Sequence, residues 1–162
     1  MIRRLTIEDA NLLREAWQWD ESRPSWFKQM DNVFNSGTVD DLVAQVEKSA
    51  FIGIFSPQLS AIIIVEQHAG GSYEAHLMAQ RGVDPAVIIA VGQQLIYDML
   101  DYGLSEAVVW IAEKNRSIRK LCANIGFQPD GVTMYKGAYR GRVIKWLRYS
   151  IQREQLITSK AA

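Results

Sequence analysis

Residues 115–127 read NRSIRKLCANIGF, and this stretch decides the fold. Its apolar side chains recur at the three- and four-residue spacing that places them on one face of a helix. They are Ile118, Leu121, Cys122 and Ile125. Gly126 follows, and glycine is the residue type that most often ends a helix. The stretch therefore predicts a helix over 115–125 that packs on one side and stops at Gly126.

A second helix and a short strand precede this stretch. Apolar residues between 86 and 102 also follow helical spacing, and Gly103 is placed to end that helix. The spacing is carried by Ile88, Val91, Leu95 and Met99. Residues 107–111 are apolar and predict a short buried strand between the two helices.

Further upstream, three apolar segments predict an antiparallel meander. Residues 50–55 and 61–67 are rich in β-branched side chains, and Ser56-Pro57-Gln58 between them favours a hairpin turn. Gly70-Gly71 favours a second turn, which a strand over 73–80 follows.

The two ends of the chain complete the pattern. The start predicts a strand over 2–7 and helices over 11–19, 25–34 and 40–48, and the end predicts strands over 128–135 and 143–151. The whole order predicts an α/β (α+β) fold with a mixed, mostly antiparallel central sheet of six to seven strands and about four helices. We expect a single domain over 1–155 and a flexible tail over 156–162.

Composition narrows the partners and the compartment. Eighteen basic side chains balance eighteen acidic ones, so bulk charge gives no reason to expect a nucleic acid or a membrane as partner. Cys122 is the only cysteine, which excludes an intrachain disulfide and suits a reducing cytosol. The first residues lack the long apolar run and cleavage site of a secretion signal. We therefore expect a cytoplasmic protein.

Three segments, in this order, carry a resemblance to a known family. They are the opening IRRLT with EDA at 2–10, the stretch at 115–127, and KWLRYS at 145–150. Together with the elements between them they resemble the GNAT family of acetyl-CoA-dependent N-acyltransferases over essentially the whole chain. The resemblance implies acetyl-CoA as the acyl donor, an amine on a small molecule or a protein as the acceptor, and no metal.

The resemblance also implies where the cofactor lies. In this family the fourth and fifth strands diverge, and free backbone groups of the fourth strand bind pantetheine as a further strand would. In this sequence those groups belong to Leu77, Met78 and Ala79, with Asn115 at the start of the late helix nearby. The two strands, predicted over 73–80 and 107–111, should diverge toward their C-terminal ends.

The cofactor loop departs from the family pattern. The family loop begins with Arg or Gln and contains glycines whose N–H groups cradle the pyrophosphate at a helix N-terminus. Residues 81–86 read RGVDPA, so Arg81, Gly82, Val83 and Ala86 are the candidate contacts. However, Asp84 replaces a required glycine and is itself a good helix cap ahead of Pro85. An adapted cofactor loop and a capped helix that binds nothing are both open.

The family tyrosine that protonates the leaving thiolate falls on Cys122. A thiol can donate a proton in principle, but its place on an apolar helical face favours a small buried side chain. Tyr135 and Tyr139 are the candidate substitutes, against ordinary roles as sheet or loop aromatics.

Glu74 and His76 are the candidate bases. They lie two residues apart and so share one face of the predicted fourth strand, where either can act on an amine. The alternative is a polar strand face turned to solvent. His68 falls in the predicted turn, and we expect it to be a surface residue.

The first two predicted helices are crowded with aromatic side chains. They are Trp17, Trp19, Trp26, Phe27 and Phe34. Core packing, an aromatic acceptor pocket and a homodimer surface are all open interpretations of this cluster.

The leading functional hypothesis is acetyl transfer from acetyl-CoA to a primary amine by direct attack. The alternative is a catalytically inactive, bacteriophage-encoded GNAT-like protein with an assembly or binding role, since the loop is eroded and the tyrosine is absent. Fold alone does not decide between them.

Overall fold

A computed structural model describes residues 2–4, 6–23, 36–45, 50–55, 61–139 and 142–161. The predicted helix over 25–34, the turn at 56–58, and the aromatic residues Trp26, Phe27 and Phe34 lie outside the described residues. No helix in the described part of the chain is long and apolar enough to cross a membrane.

The described residues form one sheet of seven strands. The strands are β1 (Ile2–Arg4), β2 (Ala50–Phe55), β3 (Ala61–Gln67), β4 (Ser72–Ala79), β5 (Glu106–Ala112), β6 (Gln128–Tyr139) and β7 (Arg142–Gln152). They lie in the order β1-β2-β3-β4-β5-β7-β6. Every neighbouring pair is antiparallel except β4 and β5, so the expected mixed, mostly antiparallel sheet is confirmed.

Five α-helices pack around this sheet in the described chain, one more than expected. They are α1 (Ala10–Glu21), α2 (Val39–Gln45), α3 (Pro85–Met99), α4 (Arg116–Ile125) and α5 (Arg153–Ala161). The extra helix is α5, and it corrects the expectation of a flexible tail over 156–162. Leu156 in α5 is buried in the main core, and the burial of this apolar side chain stabilises the packing of α5 against the rest of the chain.

Helices cover both faces of the sheet. On one face, α3 and α4 pack on the odd-numbered residues of β3, including Ile63 and Val65. On the other face, Leu13 and Ala16 of α1 and Leu42 of α2 pack on the even-numbered Ile62 and Ile64, and all five side chains are buried. Successive strand residues point to opposite faces, and helices cover both faces at β3. This strand is therefore apolar without interruption from Ala61 to Val65.

The helix ends follow local sequence chemistry. Asp84 caps α3, accepting a hydrogen bond from the Ala86 N–H at 2.9 Å, and Pro85 takes the first helical position. Asn115 caps α4 through the Ile118 N–H at 3.3 Å. Gly103 follows the 3₁₀ turn after α3 with a φ of 85°, a left-handed conformation that glycine adopts without strain.

Candidate active site

The strands β4 and β5 separate after three residue pairs. Ser72, Tyr73 and Glu74 pair with Glu106, Ala107 and Val108 in parallel register, and the pairing then ends. From Ala75 to Ala79 and from Val109 to Ala112 the two strands run on unpaired with each other. The divergence predicted from the sequence is therefore confirmed, and it leaves a V-shaped cleft.

An apolar cavity of about 100 Å³ lies at this cleft. Its walls come from the diverging strands and from the inner faces of α3 and α4. From β4 it takes Ala75, Leu77 and Ala79, which the strand alternation turns toward these helices. Leu77 and Ala79 were predicted cofactor contacts, whereas the Met78 side chain is buried on the opposite face against α1 and α2. Only backbone atoms of Met78 are therefore available to a ligand in the cleft.

Among the described residues that line this cavity, Arg23 and Asn115 have polar side chains. Asn115 is buried, and its side-chain oxygen caps α4. Arg23, just beyond α1, donates a hydrogen bond from Nη2 to the carbonyl oxygen of Ala79 at the end of β4. No local sequence pattern indicates Arg23, because it lies 56 positions before its partner in the sequence.

The loop before α3 combines features of both earlier interpretations. Arg81, Gly82 and Ala86 are exposed, and Val83 is half-buried against the core. Gly82 has a φ of 88°, so this position needs glycine. The Asp84 carboxylate already occupies the Ala86 N–H, and Pro85 has none to offer. An anion at this helix end would therefore rely on Arg81 and on the loop backbone.

Cys122 lines the cavity but is a poor proton donor. Its thiol is buried in the core, and burial raises its pKa from 9.0 to about 12. A thiol with so high a pKa gives up its proton reluctantly. The geometry favours the small buried side chain over the acid.

Tyr135 lies away from the cleft. It is 66% exposed on β6, the outermost strand, with β7 between it and β5. The structure thus separates Tyr135 from Cys122, and the described residues that line the cavity include no tyrosine. The side chain of Tyr139 lies outside the described residues.

Glu74 and His76 meet a second pair of side chains from the same hairpin. Glu66 at the end of β3 and His68 in the turn complete a group that we call the Glu/His ring, formed by Glu66, His68, Glu74 and His76. His76 Nε2 lies 3.2 Å from Glu66 and 3.7 Å from Glu74, while His68 Nε2 lies 3.1 Å from Glu74 and 4.0 Å from Glu66. Each carboxylate thus contacts both imidazoles.

The members of the ring differ in their access to solvent. His76 and Glu66 are buried, Glu74 is half-buried, and the His68 side chain is 44% exposed. His68 is a surface residue, as expected, and its Nε2 also contacts Glu74. Strand alternation places the ring on the face covered by α1 and α2, opposite Cys122. Of the two predicted bases, Glu74 is the more accessible.

The contact between Glu66 and His76 was not predicted from the sequence, although the sequence carries a signal for it. Glu66 and Glu74 are directly paired across the hairpin, four residues either side of Gly70. With the turn placed at Gly70, the strand register would have brought the two carboxylates together.

Among known proteins, this chain is similar to proteins of solved structure. No protein-family model matches the sequence, and no curated protein matches it either. An N-acetyltransferase from Staphylococcus aureus Mu50 superposes with a TM-score of 0.73 at 16% identity, over 94% of this chain and 97% of that one. The yncA protein from Salmonella typhimurium, solved with its cofactor acetyl-CoA, gives 0.71 at 14% identity, over 94% and 92%.

A third structure carries the family name itself. The acetyltransferase of the GNAT family from Streptococcus pneumoniae gives a TM-score of 0.68 at 15% identity, over 94% of this chain and 98% of that one. Both chains are covered almost completely in all three cases, so the likeness includes every layer of the architecture. This chain has the fold of the GNAT acetyltransferases.

Proposed function

We propose that this chain transfers the acetyl group of acetyl-CoA to a primary amine of a small molecule or a protein. The observation that carries the proposal is the cleft, because β4 and β5 are paired at Ser72–Glu74 and unpaired beyond. A sheet that opens in this way leaves backbone N–H and C=O groups unpaired along one edge of each strand. An extended chain with amide groups can bind there by β-augmentation.

Pantetheine meets this description, since it is an extended chain with two amides. In the proposed complex it lies along Leu77, Met78 and Ala79 and uses the backbone groups that β5 leaves unpaired, while the Ala79 carbonyl stays bonded to Arg23. The apolar walls of the cavity exclude water from the thioester, and Asn115 offers a buried polar group beside it. Arg81, Gly82, Val83 and Ala86 face the pyrophosphate, with Arg81 as the cation.

Glu74 is the proposed base, and the reaction uses no metal. The amine nitrogen attacks the thioester carbonyl carbon, the C–S bond breaks, and coenzyme A leaves as a thiolate. The surplus proton of the amine passes to the Glu74 carboxylate, directly or through one water. Burial keeps the Cys122 thiol protonated and makes it a weak acid. Solvent therefore supplies the proton that the departing coenzyme A thiolate takes up.

Calorimetric titration of the purified chain with acetyl-CoA tests this proposal. Ala79→Leu places extra bulk in the cleft, and Ala90→Leu makes the same chemical change on the exposed surface of α3. We expect the wild type and Ala90→Leu to bind acetyl-CoA equally, and Ala79→Leu to bind at least about tenfold more weakly. Absence of binding to the wild type at millimolar acetyl-CoA would overturn the proposal in favour of a binding or assembly role.

A further inference from the structure

The Glu/His ring brings the metal-binding atoms of three side chains close together, with His68 beside them. Both imidazoles present Nε2 to the ring, and each carboxylate turns one oxygen toward His76 and the other toward His68. One ligand atom from each of Glu66, Glu74 and His76 can be chosen so that all three lie within 4.8 Å of one another. His68 closes the ring from the solvent side.

The spacing within the group Glu66, Glu74 and His76 is compatible with a tetrahedral metal site that has one further position to fill. Zn²⁺ binds imidazole nitrogen and carboxylate oxygen at about 2.0–2.2 Å, so neighbouring ligand atoms lie about 3.3–3.6 Å apart in a tetrahedron. His76 Nε2 lies 3.2 Å from one oxygen of Glu66 and 3.7 Å from one oxygen of Glu74, whereas His68 faces the other oxygen of each carboxylate. A cation bound by Glu66, Glu74 and His76 takes His68 as its fourth ligand if the His68 side chain rotates inward.

The charges of the ring also favour a divalent cation. Glu66 and Glu74 are directly opposite each other on β3 and β4, and like charges in that position repel. Both carboxylates are largely shielded from water, which makes the repulsion stronger. One M²⁺ ion neutralises two carboxylates while the imidazoles remain neutral ligands.

We propose that the Glu/His ring binds a divalent transition-metal ion, with Zn²⁺ as the representative ligand. Two imidazole ligands favour Zn²⁺, Co²⁺ or Ni²⁺ over Mg²⁺ and Ca²⁺, which prefer oxygen.

The site has a consequence that rests on the proposed function. A Glu74 carboxylate bound to a metal cannot accept the amine proton. Metal binding therefore inhibits the metal-free transfer reaction, and chelation restores it. Metal binding itself requires neither acetyl-CoA nor turnover, so the two proposals can fail separately.

Titration of the chelator-treated full-length chain with Co²⁺ and Zn²⁺ tests the site. Tetrahedral Co²⁺ absorbs strongly in the visible, which reports the geometry, and Zn²⁺ should displace it. We expect one ion per chain, and no displacement by excess Mg²⁺. Glu74→Gln and His68→Gln should each weaken binding by roughly 10–100-fold or more, since even outer-shell partners have effects of that size.

Glu113→Gln is the matched control. Glu113 is a surface residue that directly follows β5, pairs with Lys145 and lies outside the Glu/His ring. His68 is exposed enough for its variant to fold, and circular dichroism verifies this. Binding that is unchanged in both ring variants, an octahedral Co²⁺ spectrum, displacement by Mg²⁺, or no binding to the wild type would each overturn the site.

Discussion

The Ser72 hydroxyl donates a hydrogen bond of 2.9 Å to the Glu106 carboxylate at the point where β4 and β5 begin side by side. Glu106 also accepts hydrogen bonds from Arg148 and Gln152 of β7. This one carboxylate therefore links three strands at the closed end of the cleft. These hydrogen bonds hold β4 and β5 together at the end from which the two strands diverge.

The first prediction concerns stability in acid. Burial by itself raises the pKa of Glu106, but hydrogen bonds from Gln152 and Ser72 and the charge of Arg148 outweigh it and lower the pKa. A lowered pKa in the folded state gives stability that is present above the unfolded-state pKa and is lost as the pH falls through the folded-state pKa. Urea unfolding between pH 7 and 3 should show that Glu106→Gln loses less free energy of unfolding than wild type over this range. Ser72→Ala should lose its stability at a higher pH than wild type, because one hydrogen bond that lowers the Glu106 pKa is gone. Parallel curves of unfolding free energy against pH for all three proteins would show that Glu106 is not responsible.

The second prediction concerns the base. Glu74→Gln keeps the shape of the side chain and removes its basicity, so turnover should fall by roughly 10²-fold or more. Binding of acetyl-CoA should change little, because Glu74 faces away from the cavity. Steady-state kinetics with a set of amine acceptors measures this effect, with Glu113→Gln as the control that retains full activity. Equal turnover in wild type and Glu74→Gln would assign the proton to His76 or to solvent.

The third prediction separates charge from capping at Asp84. Asp84→Asn removes the negative charge and keeps the cap, because both residue types cap helices equally well. Asp84→Gly removes the charge and also frees the Ala86 N–H. Both variants should bind coenzyme A more tightly than wild type, and the glycine variant should bind it most tightly.

Stability should move the other way in this series. Loss of the cap costs a few tenths of a kcal/mol in Asp84→Gly. Loss of the helix-end anion costs about 0.3–1 kcal/mol in both variants. Calorimetry and urea unfolding measure the two quantities. Weaker binding by either variant would mean that the Asp84 carboxylate helps to form the cofactor site.

The fourth prediction concerns the buried thiol. Cys122 has a pKa of about 12 in the folded chain, against 9.0 when exposed, so the unfolded chain loses this proton first. A raised pKa in the folded state contributes stability that is complete below about pH 9 and declines as the pH rises toward 12. Wild type should therefore lose more stability than Cys122→Ala between pH 8 and 10.5. Turnover of Cys122→Ala at neutral pH should stay within a few-fold of wild type, and a large drop would restore the thiol as the acid.

The fifth prediction concerns the contact between α3 and α4. Gly92 is buried at the cavity wall, and a Cβ added there would lie 2.9 Å from Cδ1 of Ile125. Alanine in a helix interior is favoured over glycine by about 0.5–1 kcal/mol, but this contact opposes the gain. Ile125→Val removes Cδ1, so Gly92→Ala should be more stabilising in that background than in wild type. A double-mutant cycle should give a coupling of about 0.5 kcal/mol or more, and simple additivity would contradict the contact.

Local sequence chemistry was enough to predict much of the architecture. The helix ends at Asp84, Gly103 and Gly126 depend on neighbouring residues alone, and each lies where its residue type indicated. The alternation of Glu74 and His76 gave their shared face in the same way. The splayed strands were predicted only through the resemblance, because no local pattern determines where two parallel strands stop pairing.

Long-range relationships account for what was missed. Glu66 closes an apolar strand and carries no signal of its own until the register pairs it with Glu74. Arg23 reaches Ala79 across 56 residues of sequence. The helix α5 has weak amphipathic character, and its contacts with the rest of the chain include buried Leu156 and hydrogen bonds from Arg153 to Leu100 and Leu104, all of which depend on the finished core.

Arg23 has a consequence for the kinetics of encounter. It is the one charged side chain among the described residues that line the apolar cavity, and it sits where β4 ends and the strands are furthest apart. A cation at the entrance of an apolar cleft is weakly screened and attracts anions from a distance. If the chain binds acetyl-CoA as proposed, this local field in a chain with no net charge should speed the association of polyphosphate-bearing molecules relative to neutral ones of the same shape. Added salt slows their arrival and leaves their departure nearly unchanged.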